Sequence, residues 1–269
     1  MTHVIITGGS SGIGLAIAHI YAARGDRISL IARTAATLEA ARTAIAASKG
    51  VDAAMIAIAS ADVANEAQIS SAMRDCEARL GPCDILVTAA GIVHPGPFET
   101  LSPADFERQM ATNFHGSVHA VRAVYDSMRK RGSGSIMLVS SGAGLIGIYG
   151  YAAYCASKFA LHGFAEALRS EARPNGVSVS VCFPPDTQTP QFDGEIAFRP
   201  LEAAIVMGKV RPWSAQEVAS RIVAAIDRGR FEVFFGLSLH AIGRFGSTLK
   251  PILNWWFDRA IRSLRRGRR

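Results

Sequence analysis

Apolar residues fall in short unbroken runs that alternate with longer stretches of helical periodicity. The run at 4–7 (VIIT) ends in a glycine-rich turn, and 13–23 follows with apolar positions three and four apart. The alternation then repeats. Strands are expected at 27–32, 53–59, 84–88, 135–140, 177–183 and 231–235. Helices are expected at 35–47, 66–80, 103–131, 151–173 and 215–228, the long third one starting at Ser102-Pro103, a favoured cap and first-turn pair. Strands apolar along their whole length must be covered on both faces. The pattern therefore predicts an α/β fold: a doubly wound parallel sheet of about seven strands with helices on both sides. Residues 1–236 read as one catalytic domain, and 237–269 as a separate amphipathic, basic segment.

The turn after the first strand reads Thr7-Gly8-Gly9-Ser10-Ser11-Gly12-Ile13-Gly14. Gly8, Gly12 and Gly14 allow positive φ and close backbone approach, while Ser10, Ser11 and Ile13 bring the chain into the helix. Peptide N–H groups and the helix dipole at that end favour a pyrophosphate. This is the nucleotide turn of a Rossmann-type sheet. The second strand ends at Ala32, where an acid would bind an unphosphorylated ribose, and the next residue is Arg33. A guanidinium suits a 2′-phosphate, so the expected cofactor is NADP(H).

Tyr154 and Lys158 stand four apart on one predicted helix and so share a face. A free phenol titrates near 10, too high for proton transfer at neutral pH, and a neighbouring ammonium would lower it. Ser141 lies at the end of the fifth strand, thirteen residues before Tyr154, and can hydrogen-bond a substrate oxygen. Asn113 sits inside the long helix, a poor place for Asn unless its side chain is used. Each feature alone has an ordinary structural explanation. Behind a nucleotide turn, the set points to carbonyl/alcohol oxidoreduction.

On these motifs, with Asp62-Val63 and Ala89-Ala90-Gly91, the chain resembles the short-chain dehydrogenase/reductase family to about Gly236. The resemblance implies that Asp62 binds the adenine amino group and that Val63 lines its pocket. It implies that Ala89, Ala90 and Gly91 line the cofactor and that Tyr154 is the general acid in reduction. Lys158 would lower the Tyr154 pKa and hold the nicotinamide ribose, Ser141 would polarise the carbonyl, and Asn113 would support a water relay to Lys158. Thr88 departs from the Asn common in the family; a local hydrogen bond from its hydroxyl is expected. After the sixth strand the family has Pro-Gly, whereas this chain reads Pro184-Pro185-Asp186-Thr187-Gln188-Thr189-Pro190. Pro184, Thr187 and Thr189 are the matching cofactor positions. The string resembles the loop of the 3-ketodihydrosphingosine reductases within the family. That resemblance implies a long-chain keto-lipid substrate and makes Asp186 a candidate for its amino group.

Net charge is +7, but seven Lys/Arg and one acid fall in residues 250–269, leaving 22 basic and 21 acidic residues elsewhere. Leu249, Ile252, Leu253, Trp256, Ala260 and Leu264 form the clearest apolar stripe of that tail. Trp and Arg on such a helix favour the headgroup boundary, so a membrane-surface partner is expected; packing on the body or on a second subunit is the alternative. No nucleic-acid motif accompanies the basic end. Cys76, Cys83, Cys155 and Cys182 show no metal or disulfide spacing, no metal site is expected, and reduced thiols suit a cytoplasmic protein. The first strand begins too early for a signal peptide, and no apolar run is long enough for a span. The family resemblance implies a homodimer or homotetramer. Rival readings are a reductase of 3-ketoacyl thioesters, steroids or retinoids, and a catalytically silent NADP-binding scaffold at a membrane.

Overall fold

Strands apolar on both faces need two covering layers, and the chain supplies them. The computed structural model describes residues 1–48, 50–208 and 211–266, apart from the side chain of Arg265. The first half comprises β1 (His3–Thr7), α1 (Gly12–Ala23), β2 (Arg27–Ala32), α2 (Ala35–Ala46), β3 (Ile56–Ser60), α3 (Glu66–Leu80) and β4 (Ile85–Thr88). Then come α4 (Pro103–Met110), α5 (Gly116–Arg131), β5 (Gly134–Val139), α6 (Ala152–Ala172) and β6 (Val177–Phe183). Past β6 lie β7 (Thr187–Gln188), α7 (Pro190–Ile196), α8 (Leu201–Met207), β8 (Trp213–Ser214), α9 (Ala215–Asp227), β9 (Glu232–Phe234) and α10 (Gly236–Arg266).

Seven strands pair in parallel in the order β3-β2-β1-β4-β5-β6-β9. One core cluster lies under α1, α2 and α9, with Ile17, Leu38 and Ile222 fully buried. The other lies under α3, α5 and α6, with Ile69, Val124 and Leu161 fully buried. The chain leaves β1 in one direction and passes through β4 in the other. The carboxyl ends of these two strands therefore border the crevice in which open α/β sheets bind ligands.

Three expected elements differ. The third strand begins at Ile56 rather than 53, because Asp52 caps a turn of 3-10 helix over Ala53–Met55 by accepting from the Ala54 amide at 2.9 Å. The segment between β6 and α9, read from sequence only as a loop, carries α7, α8 and a two-residue parallel pair, Thr187 with Trp213 and Gln188 with Ser214. The helix expected over 103–131 is interrupted by a π turn, Ala111–His115, between α4 and α5.

The π turn explains the mid-helix asparagine. The extra residue rolls Asn113 inward until it is fully buried. Its Oδ1 accepts from the Ile92 amide at 2.8 Å, and its Nδ2 donates to the Ile92 carbonyl and to Ser157 Oγ, both at 2.9 Å. Gly116 follows at once, where any Cβ would press on Val63 Cγ2 at 2.6 Å. Asn113→Ala strands buried groups of Ile92 and Ser157, and about 2–3 kcal/mol of stability should be lost. Urea unfolding of the variant checks this, and an unchanged midpoint would mean that the side chain holds nothing.

Candidate active site

A cleft of about 690 Å³ opens along the carboxyl edge of the sheet. Its floor is the glycine turn. Gly8 has φ +70°, and a Cβ there would sit 2.6 Å from the Ala90 amide nitrogen; a Cβ on Gly14 would collide with the Gly8 carbonyl. Side chains are thus excluded from the places where a pyrophosphate needs bare backbone. Ser10, Ser11, Gly12, Ile13 and Gly14 border the cleft at the start of α1. Ser11 is the N-cap residue of α1, and its side chain makes no capping bond.

The far end of the floor carries Arg33, exposed just beyond β2, with Thr34 and Thr37 beside it on the cleft wall. The two threonines were not singled out in the sequence. Their only signal was nearness to Arg33. Asp62 and Val63 lie on the same side; the Asp62 carboxylate accepts from the Ala64 amide at 3.0 Å, which fixes the loop after β3. Ala89, Ala90 and Gly91 line the cleft directly after β4. Behind them the Thr88 hydroxyl is buried with no hydrogen-bond partner among the described residues, so the expected local bond is not made.

The candidate reacting end lies between β5 and α6. Ser141, Tyr154 and Lys158 all line it, while Asn113 stands one layer behind. A Cβ on Gly91 would find Asn113 Oδ1 at 3.3 Å and Lys158 Nζ at 3.6 Å, so these two side chains converge on one bare backbone position. Lys158 is buried, its ammonium donates to the Val139 carbonyl at 3.0 Å, and it lies 5.6 Å from the centre of the Tyr154 ring. Burial pushes its pKa down to about 8, with nearby Cys182 opposing the shift.

Burial opposes the lowering expected for Tyr154. Burial holds its phenol above the ordinary range, and a hydrogen bond with Ser141 only partly offsets this; Lys158 is not among the causes. Desolvation is the larger effect; the ammonium lies over the ring at 5.6 Å from its centre and donates to the Val139 carbonyl rather than to the phenol oxygen. The loop after β6 adds Pro184, Thr187 and Thr189 to the wall. Thr187 Oγ1 donates to the Pro185 carbonyl at 2.8 Å. Thr189 caps α7 by accepting from the Phe192 amide, and its methyl faces Gly12. Asp186 is not free to meet an amine as expected: Arg199 clamps both of its oxygens, at 2.7 and 3.0 Å.

Residues 2–197 match the family model described as short chain dehydrogenase. The chain belongs to the short-chain dehydrogenase family. This dehydrogenase is 38% identical over 251 residues to the 3-ketodihydrosphingosine reductase of Bos taurus, covering 93% of the chain and 76% of the relative. It is 31% identical over 272 residues to the 3-ketodihydrosphingosine reductase of Dictyostelium discoideum, covering 95% and 81%. Among solved structures it resembles levodione reductase, with a TM-score of 0.79, 27% identity and coverage of 87% and 95%.

The far wall of the dehydrogenase cleft is apolar. Val206 and Met207 of α8 line it together with Leu239, Leu253, Trp256 and Phe257 of α10. α10 breaks at Phe245 (φ −122°, ψ 22°), between Gly243 and Gly246, and Gly243 lets the first half lie against the Phe234 ring. The inward stripe of the second half is close to the expected one. Leu249, Leu253, Phe257, Ala260, Ile261 and Leu264 are half-buried, and Trp256, though 45% exposed, borders the cleft, whereas Ile252 of the expected stripe is exposed away from it. Arg268 and Arg269 of the basic end lie outside the described residues.

The Lys158 shift sets a pH test. Between about pH 8 and 10.5 the unfolded chain holds a proton that the folded chain has released, so stability rises with pH there. Below pH 8 both states are protonated and the cost of burying the charge is constant. Lys158→Met removes that cost. The variant should gain stability over the wild type at pH 7, and the gap should shrink towards pH 10. Paired urea titrations at the two pH values measure it, and a pH-independent gap would contradict a desolvated ammonium.

Proposed function

We propose that this dehydrogenase reduces the keto group of 3-ketodihydrosphingosine to the alcohol with NADPH. The observation that carries the reading is the continuity of one cleft. It runs from a side-chain-free glycine floor, past Ser141, Tyr154 and Lys158, to an apolar wall of α8 and α10 side chains suited to an alkyl chain. Relatives named for that reaction support the choice of substrate.

The clashes that any Cβ would meet at Gly8 and Gly14 fit a dinucleotide laid on bare backbone. Gly8, Gly12 and Gly14 would hold the pyrophosphate with Ser10, Ser11 and Ile13. Arg33 would hold the 2′-phosphate, and Asp62 and Val63 the adenine. Ala89, Ala90 and Gly91 would line the middle of the cofactor, with Pro184, Thr187 and Thr189 on the nicotinamide side. When bound, NADPH supplies the hydride. Tyr154 gives its proton to the developing alkoxide, and its high pKa in the closed-in site keeps that proton available beforehand. Ser141 donates a hydrogen bond to the same oxygen. Lys158 brings a cation beside the ring as the phenolate forms and holds the ribose. Asn113 is a positioning residue: it fixes Ile92 and Ser157 behind Lys158.

NADPH oxidation by the purified chain, with 3-ketodihydrosphingosine beside an acetoacetyl thioester and a steroid ketone, tests the reading. Turnover of the sphingoid ketone should dominate and fall about 100- to 10,000-fold in Tyr154→Phe. Turnover of only the other ketones would end the lipid assignment.

The outer face of α10 supports work at a membrane surface. Ile252 and Trp255 are 62% and 59% exposed, with Lys250, Arg259 and Arg262 on the same helix. Among the described residues no helix is long and apolar enough to cross a bilayer. Because Leu253 and Phe257 wall the cleft, deleting the helix would damage the site, and Ile252→Ser/Trp255→Ser is the cleaner probe. The double variant should lose binding to phosphatidylglycerol vesicles in a flotation assay while keeping its turnover of a short, water-soluble ketone. Undiminished flotation would refute the surface role.

A further inference from the structure

Beside Tyr154 lies a buried network that the motifs did not predict. Tyr151, three residues earlier, packs its ring edge-on 6.3 Å from the Tyr154 ring. Its hydroxyl donates to Glu195 Oε1 at 2.5 Å and accepts from Arg199 Nε at 3.0 Å. Arg199 also binds Glu195 Oε1 at 2.7 Å and both oxygens of Asp186. Tyr151, Asp186 and Glu195 line the cleft; Arg199 is set back from it, its side chain 9% exposed.

One guanidinium here faces two carboxylates, so the network keeps one negative charge. Asp186 is satisfied at both oxygens. Glu195 Oε1 already takes two hydrogen bonds, whereas Oε2 takes none among the described residues. The Glu195 side chain is only 12% exposed, and the cleft is the space it borders. Arg211 also borders the cleft but is exposed, and its charge acts on the Glu217 carboxylate. A half-satisfied carboxylate with little water costs free energy unless a donor or cation completes it.

We infer that Glu195, held by Tyr151 and Arg199, determines specificity by receiving the ammonium on the carbon next to the reacting carbonyl. The inference rests on the proposed reduction of an amino ketone. The placement suits that substrate, because Glu195 hangs from the hydroxyl of Tyr151, whose ring packs against that of Tyr154, and its charge acts on the Tyr154 phenol that would protonate the substrate oxygen, with the alkyl chain running to the α8 and α10 wall. The residue that the loop motif pointed to, Asp186, instead serves to hold Arg199, which in turn orients Glu195.

The test compares 3-ketodihydrosphingosine with its analogue lacking the amino group, near pH 6.5, below the range of an α-amine. Glu195→Gln keeps the shape and the Oε1 bonds but removes the charge. It should lower kcat/KM for the amino ketone about 10- to 100-fold and leave the amine-free ketone within about twofold, so the wild-type preference collapses. Asp186→Asn, which only weakens the clamp on Arg199, should change that preference less than Glu195→Gln does. Equal losses on both ketones, or an unchanged preference, would overturn the inference while leaving the reductase reading intact. A wild-type protein that reduces the amine-free ketone but not the amino ketone would also overturn it. Turnover of neither would remove the proposed function and this inference together.

Discussion

A parallel sheet points the same ends of all its strands one way, and everything this protein can do chemically depends on what happens where β1 and β4 part. With no strand between them and their crossovers leaving in opposite directions, the backbone there is open. Helix α1 starts in the gap, and only glycines fit where Gly8 meets Ala90 and Gly14 meets the Gly8 carbonyl. The same edge brings β5 and α6 within reach, so Ser141, Tyr154 and Lys158 are set by strand and helix ends rather than by loops. The rigid part of the site follows from sheet order, and the variable part from what covers it.

Most of the sheet was legible from the run lengths of apolar residues, because strands buried on both faces leave an unbroken signature. The site floor was legible for a related reason: a βα turn that excludes side chains must spell itself in glycine. Asn113 was legible as an oddity, and the π turn that accommodates it was not, since one inserted residue leaves the helical periodicity of 103–131 almost unchanged. The 3-10 turn before β3 was hidden for a different reason, its Ala-rich sequence fitting either conformation.

What the sequence did not disclose depends on contacts between distant residues. The pKa direction of Tyr154 turns on burial against the position of Lys158, and a spacing of four along a helix reports neither. Arg199 meets Asp186 across thirteen residues and Tyr151 across forty-eight. Neither α7 nor α8 has the length to announce itself by periodicity. Together they change the site, because they convert a loop acid that seemed free into the anchor of a cation and place Glu195 at the cleft instead.

Helix α10 presents Leu253 and Phe257 to the cleft and Ile252 and Trp255 to the outside, on neighbouring positions of the same turns. A substitution that rotates or shortens the helix to reshape the inner wall must also move the outer ridge. The two surfaces are therefore inherited as one unit. Relatives that diverge in the width of the cavity should also diverge in the outward-facing residues of this helix, and a graft of the inner wall alone would carry a mismatched exterior.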